Sequence, residues 1–310
     1  MANIFMRFPE GKRKALTLSY DDGMEQDARL IQIMKKHGLK GTFNINSGLY
    51  AMEGTQYPEG TVRRRMTKKQ CQELYQNSDM EVAVHGLTHP FLEQLPENVC
   101  AYEIMQDRIN LEAEYGTLIR GMAYPFGTYP YVDASERVVN ILKQCGIVYS
   151  RTTVSTENFT IPDDWLRLSP TCHHSNPGLM ELAHNFVENC GSKKPELYKE
   201  PVLFYLWGHT YEFDAADNWH VIEEFAEYMG HRDDIWYATN IEIYDYVTAY
   251  KQLAFSMDGR TVYNPTCRTL YFETNTIIDP KPDYDDSCIC CIKPGETRTY
   301  GWRGDGALQA

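Results

Sequence analysis

Asp21 and Asp22 stand side by side at the end of an apolar run, residues 14–20, and Gly23 follows them. Further along, His85 and His89 close a second such run, and His209 closes a third, residues 202–207. The i, i+4 spacing of His85 and His89 lets both rings face one point if the chain turns once between them. With a carboxylate from Asp22 they make a two-histidine, one-aspartate set. Three protein ligands leave positions open for water and substrate, the pattern of a catalytic rather than a structural metal site. A divalent cation held this way polarises a carbonyl and lowers the pKa of water towards about 7. Asp21 and His209 remain as a base and an acid. Each piece alone has a plainer explanation. Asp-Asp-Gly is ordinary turn chemistry, H-x-x-x-H is a weak zinc signal, and His209 beside Trp207 fits a satisfied core histidine. Their shared position, each just after an apolar run, is what the plain explanations leave unaccounted for.

The elements that must position them alternate. Short apolar runs at 14–20, 41–46, 81–85, 121–124, 147–153, 202–207 and 235–238 read as strands. Between them, 25–37, 67–76, 97–115, 131–145, 178–189, 219–229 and 242–254 read as helices, several ending at a glycine. This βα alternation implies a parallel sheet covered by helices, and the strand number suits a closed or nearly closed barrel. Active sites of such folds lie at the C-terminal ends of the strands, so residues distant in sequence meet at one rim. From Phe255 onward short strands and turns at Val262, Thr269, Thr276 and Ile292 read as a small antiparallel appendage. The expected division is 1–254 for the barrel and 255–310 for the β-rich extension.

These motifs resemble those of polysaccharide deacetylases, carbohydrate esterase family 4. L-T-L-S-Y-D-D-G is similar to the family's first motif and H-G-L-T-H to its second. A-Y-P-F-G resembles the third and L-W-G-H the last, in the same order over residues 13–250. The resemblance implies a distorted (β/α)7 barrel and one divalent metal ion, Zn2+ by donor type, held by Asp22, His85 and His89. It implies Asp21 as general base and His209 as general acid. The backbone amide of Phe126 would help hold the oxyanion, and Leu206 would line a pocket for the acetyl methyl group. A water acidified by the metal would then attack the acetyl carbonyl of an N- or O-acetylated sugar or oligosaccharide. The third motif carries Arg in the family where this chain has Ala123. Arg151, at the end of the fifth strand, is the candidate replacement; an ordinary surface ion pair is the plainer reading. The run Cys172-His173-His174 reads more readily as a solvent-facing loop than as a ligand set.

Composition narrows the alternatives. The chain has 310 residues, 43% of them hydrophobic, enough for a sizeable core. A net charge of −13 argues against nucleic acid or an anionic membrane as partner. No run of 18 apolar residues predicts a membrane span, and the N-terminus lacks the pattern of a signal peptide, so a cytoplasmic protein is expected. Homo-oligomerisation is compatible with this reading. Nine scattered cysteines read as buried thiols, and Cys288, Cys290 and Cys291 as part of a strand. Two other functions fit the same fold: hydrolysis of another C–N bond in a small amide or ureide, and carbohydrate binding without catalysis. A binding module has no need of all five polar residues.

Overall fold

The structure is a computed structural model that describes residues 3–189, 200–275 and 287–300. It begins with β1 (Asn3–Arg7), then β2 (Lys14–Asp21), α1 (Asp27–Lys36), β3 (Gly41–Ile45), α2 (Lys68–Gln76), β4 (Glu81–Val84) and the long α3 (Glu97–Tyr115). β5 (Gly121–Ala123), α4 (Glu136–Gln144), β6 (Tyr149–Arg151), β7 (Cys172–His173) and α5 (Leu179–His184) follow. β8 (Val202–Gly208), α6 (Tyr211–Ala216), α7 (Trp219–Met229), β9 (Ile235–Tyr237) and α8 (Asn240–Tyr250) complete the helical part.

Seven parallel strands run in the order β6-β5-β4-β3-β2-β8-β7 and curl into a half-barrel, the expected distorted (β/α)7 fold. β2 is its centre. All eight of its residues are buried, because helices cover one face and the barrel interior the other. Along one edge β2 pairs with β8 from Lys14 to Tyr20. The other edge is shared, with β9 beside Lys14 to Leu16 and β3 beside Leu18 to Asp21. Side chains alternate across the sheet. Leu16, Leu18 and Tyr20 of β2, with Phe204 and Leu206 of β8, join the cluster under the outer helices. Thr17, Ser19 and Asp21 face the opposite way, with Tyr205 and the α8 residue Asn240.

Local chemistry sets the helix ends. Thr67 with Gln70, and Thr239 with Glu242, form reciprocal capping boxes at the starts of α2 and α8. Helix α3 stops at Gly116, whose φ of 63° suits glycine. The helix expected from residue 131 begins five residues later. Residues 128–131 close a turn first, and the Ser135 hydroxyl then accepts from the Val138 amide to cap α4. The helix expected over 178–189 is α as far as His184 and a π-helical turn beyond it.

The C-terminal segment forms antiparallel strands as expected: β10 (Ala254–Phe255), β11 (Thr261–Tyr263), β12 (Leu270–Asn275), β13 (Ser287–Ile292) and β14 (Thr297–Thr299). The strand expected at Thr276 lies outside the described residues. Cys290 and Cys291 sit in β13 as free thiols. β1 supplies the edge of this sheet, in the order β1-β12-β13. Arg7 of β1 donates to Glu273 of β12 at 2.8 Å. Phe8, Tyr246, Val262, Leu270, Phe272 and Ile292 share one buried cluster, which ties this sheet to α8. Among the described residues no helix is long and apolar enough to cross a membrane.

Candidate active site

Adjacent residues of a strand point to opposite faces, so Asp21 and Asp22 would ordinarily diverge. Asp22 breaks the alternation with a φ of 85°, a region costly for any residue with a Cβ. Both carboxylates consequently approach His85: its Nε2 lies 3.7 Å from Asp21 Oδ2 and 4.0 Å from Asp22 Oδ1. His89 and Phe126 also hold positive φ, 56° and 57°. Three such residues thus stand just after three strand ends at this rim.

His85 comes from the end of β4. Its backbone amide donates to Asp107 of α3 at 3.0 Å. Its Nδ1 donates to the carbonyl oxygen of Ala123 at 2.9 Å, since a carbonyl can only accept. That leaves Nε2 with its lone pair, buried and without a hydrogen-bond partner among the described residues. His89 Nε2 lies 3.7 Å from Asp22 Oδ1. Donor atoms of Asp22, His85 and His89 all fall within 4.8 Å of one another. Burial pushes both histidines below their ordinary pKa; for His89, burial with His85 alongside brings it to about 4. Neutral imidazoles, a carboxylate and an orphaned nitrogen aimed between them suit a divalent cation. Arg65 also reaches Asp22, 3.2 Å from Oδ1, a contact with no signal in the sequence.

Asp21 lies deeper. Burial alone would raise its pKa, but Arg151, His85, His209 and an Asn44 hydrogen bond outweigh it and hold the carboxyl at about 2. Asn44 of β3 donates to Oδ1 at 2.8 Å, and Arg151 donates through Nη2 to Oδ2. Arg151 is fully buried, with its guanidinium 4.2 Å over the Trp207 ring. It is therefore no surface ion pair. Its register partner across β5 and β6 is Ala123.

His209 Nε2 lies 3.8 Å from Asp21 Oδ2, and its Nδ1 is 3.2 Å from Glu212 Oε1. Burial opposes protonation of His209, but Glu212 and Asp21 prevail and raise its pKa. Glu212 was not singled out from sequence; its place three residues after His209 was the available signal. His173 and His174 also approach Glu212, so the 172–174 run is no solvent-facing loop, and His174 is buried.

Leu206 is not brought to the site. It points under the outer helices with Phe204 and Phe225, on the face of β8 opposite Asp21. Trp207, one residue on, faces the site instead, against Arg151, His173 and His209. The Phe126 ring is half exposed, stacked on Phe91 at 4.0 Å and edge-on to His89 at 4.3 Å. Tyr129 lies beside Phe91 at 5.5 Å, so an aromatic shelf borders the histidines.

Residues 9–150 match the family model for polysaccharide deacetylase, which bears out the resemblance carried by the motifs. No curated protein matches the chain. A solved structure from Mycobacterium smegmatis, described as a polysaccharide deacetylase, has a TM-score of 0.52 at 16% identity, over 79% of this chain and 93% of that one. It shares the fold. The Streptococcus pyogenes deacetylase PplD, solved with acetate, is 24% identical with a TM-score of 0.40, over 49% of this chain. The match spans 62% of the length of that streptococcal protein. A family 4 pseudoenzyme from Bacillus anthracis has a TM-score of 0.44 at 18% identity, over 78% of this chain and 68% of that one.

Proposed function

We propose that this chain, similar to polysaccharide deacetylases over residues 9–150, is a metal-dependent hydrolase that removes acetyl groups from a carbohydrate. The observation that carries the reading is the arrangement about Asp21. A fixed carboxylate and a raised-pKa histidine, 3.8 Å apart, flank a three-donor set with an orphaned nitrogen.

Asp22, His85 and His89 would hold the cation, and their two nitrogens and one oxygen suit zinc. When bound, it supplies Lewis acidity that polarises the acetyl carbonyl and acidifies water. The chain's own residues do the rest. Asp21 accepts the proton of the attacking water. A carboxyl at about 2 is a weak base, so Arg151 and Asn44 act by keeping it ionised and aimed. The Phe126 amide serves as an oxyanion donor. His209 gives a proton to the departing amine or alcohol, and Glu212 on Nδ1 directs Nε2 inward. Trp207 takes the place intended for Leu206 beside the reacting group. The shelf of Phe126, Phe91 and Tyr129 offers apolar faces for a sugar ring.

The experiment is acetate release from N-acetylated and O-acetylated oligosaccharides by zinc-loaded protein. Release from at least one class is expected. Folded, metal-loaded protein that is inert on both classes would overturn the reading.

A further inference from the structure

A second group of donors meets on the far side of His209. His173 closes β7, His174 follows it, and Glu212 lies in α6. Their ligand atoms lie within 4.8 Å of one another. His173 Nε2 is 3.1 Å and His174 Nε2 3.0 Å from the same atom, Glu212 Oε2. Yet that oxygen has no hydrogen-bond partner among the described residues. Two imidazole nitrogens thus converge on one carboxylate oxygen. It is the expected arrangement of three ligands around a common ion.

We propose that His173, His174 and Glu212 bind a second divalent transition-metal ion of the zinc class. The chemistry of each donor agrees. His173 Nδ1 lies 2.7 Å from Ser175 Oγ, which can take the Nδ1 proton and leave Nε2 free. The same nitrogen is 3.2 Å from the Ser175 backbone N–H, the longer and weaker contact, which suits the metal-free tautomer. Trp207 packs edge-on to His173 at 4.5 Å, and Tyr20 and Phe213 stack on His174, so both rings are held in place.

The ion would take Glu212 by Oε2, while Oε1 faces His209 Nδ1 at 3.2 Å. One carboxylate would thus connect the second ion to the proposed acid. Only this last link rests on the deacetylase reading; the binding site itself does not.

The test is a count of zinc on the full chain. Protein stripped with a chelator and reloaded with zinc should hold about two ions per chain by elemental analysis. His173→Asn and Glu212→Gln should each reduce the count to about one. His85→Ala should remove the other ion, and His85→Ala with His173→Asn should leave none. Circular dichroism and thermal unfolding check that each variant is folded; if one is not, the other second-site variant decides. A single ion that is lost with His85→Ala and unaffected by both second-site variants would overturn the proposal. Loss of an ion with His173→Asn but none with His85→Ala would uphold it and count against the first site instead.

Discussion

Arg151 stands directly across from Ala123 on the neighbouring strand and sends its guanidinium to Asp21. The family motif has its arginine at the position of Ala123, so the charge here comes from one strand further along at the same height. The Ala123 carbonyl in turn accepts from His85 Nδ1 and fixes that ring. One register pair therefore serves both the carboxylate and the imidazole.

Arg151→Lys and Arg151→Ala are expected to lower kcat, because an ammonium lacks the planar fork that fixes a carboxylate. Its complete burial adds a second effect. Removing the guanidinium leaves Asp21 buried without its ion-pair partner, which costs on the order of 3–5 kcal/mol less whatever Asn44 retains. Denaturant unfolding and steady-state kinetics, measured together, check both. Wild-type rate and stability in Arg151→Ala would show that Asp21 is held by other groups.

Metal content and turnover should separate. Asp22→Ala, His85→Ala and His89→Ala should each lose the first metal ion. Asp21→Asn and His209→Ala should keep it while kcat falls about a hundredfold or more. Elemental analysis beside acetate release distinguishes the two groups. Normal turnover in Asp21→Asn would remove Asp21 from its role.

Asp27 should give stability a pH slope. It is fully buried, accepting from Thr210, Tyr75 and the Met24 amide, and burial raises its pKa to about 7 despite those donors. A folded pKa above the unfolded 3.8 means the folded state binds the extra proton between these values. The stabilisation is full below about 3.8 and is lost as pH rises through about 7. The wild type should therefore lose up to about 4 kcal/mol over that window. Asp27→Asn should lack this component. Urea unfolding at pH 5 and pH 8 for both proteins reads it directly. Equal losses in the two would mean Asp27 is ionised throughout.

Truncation after residue 254 should abolish soluble, folded protein. It strips β1 of β12 and exposes Phe8 and Tyr246, which pack under the C-terminal sheet. Size-exclusion chromatography and near-ultraviolet circular dichroism of the truncated chain check this. A monomeric, cooperatively folding fragment would show that the barrel is independent of the extension.

The parallel strands were legible because each apolar run is buried on both faces, as in β2 and β8. Strand-end residues Asp21, Asp22, His85, His89 and His209 were legible because such a sheet delivers them to one rim. Leu206 shows where the reading fails. In a strand a shift of one residue changes the face, and spacing to His209 alone did not say whether Leu206 or Trp207 points inward. Asn44, Arg65 and Glu212 were missed because their partners are distant, or on an adjoining turn, and their residue types are ordinary. The pairing of β1 with β12 joins Arg7 to Tyr271 and leaves no local trace at all.

That pairing also sets an order of assembly. β1 emerges well before β12, its strand partner among the described residues, which comes more than 260 residues later. β2 waits similarly for β8 and β9. At ribosomal rates of about 5–20 residues per second, β1 spends on the order of tens of seconds as an apolar segment without its sheet. Until β12 arrives it is open to chaperones and to mispairing with neighbouring chains. The pairing thus joins two segments that leave the ribosome far apart in time.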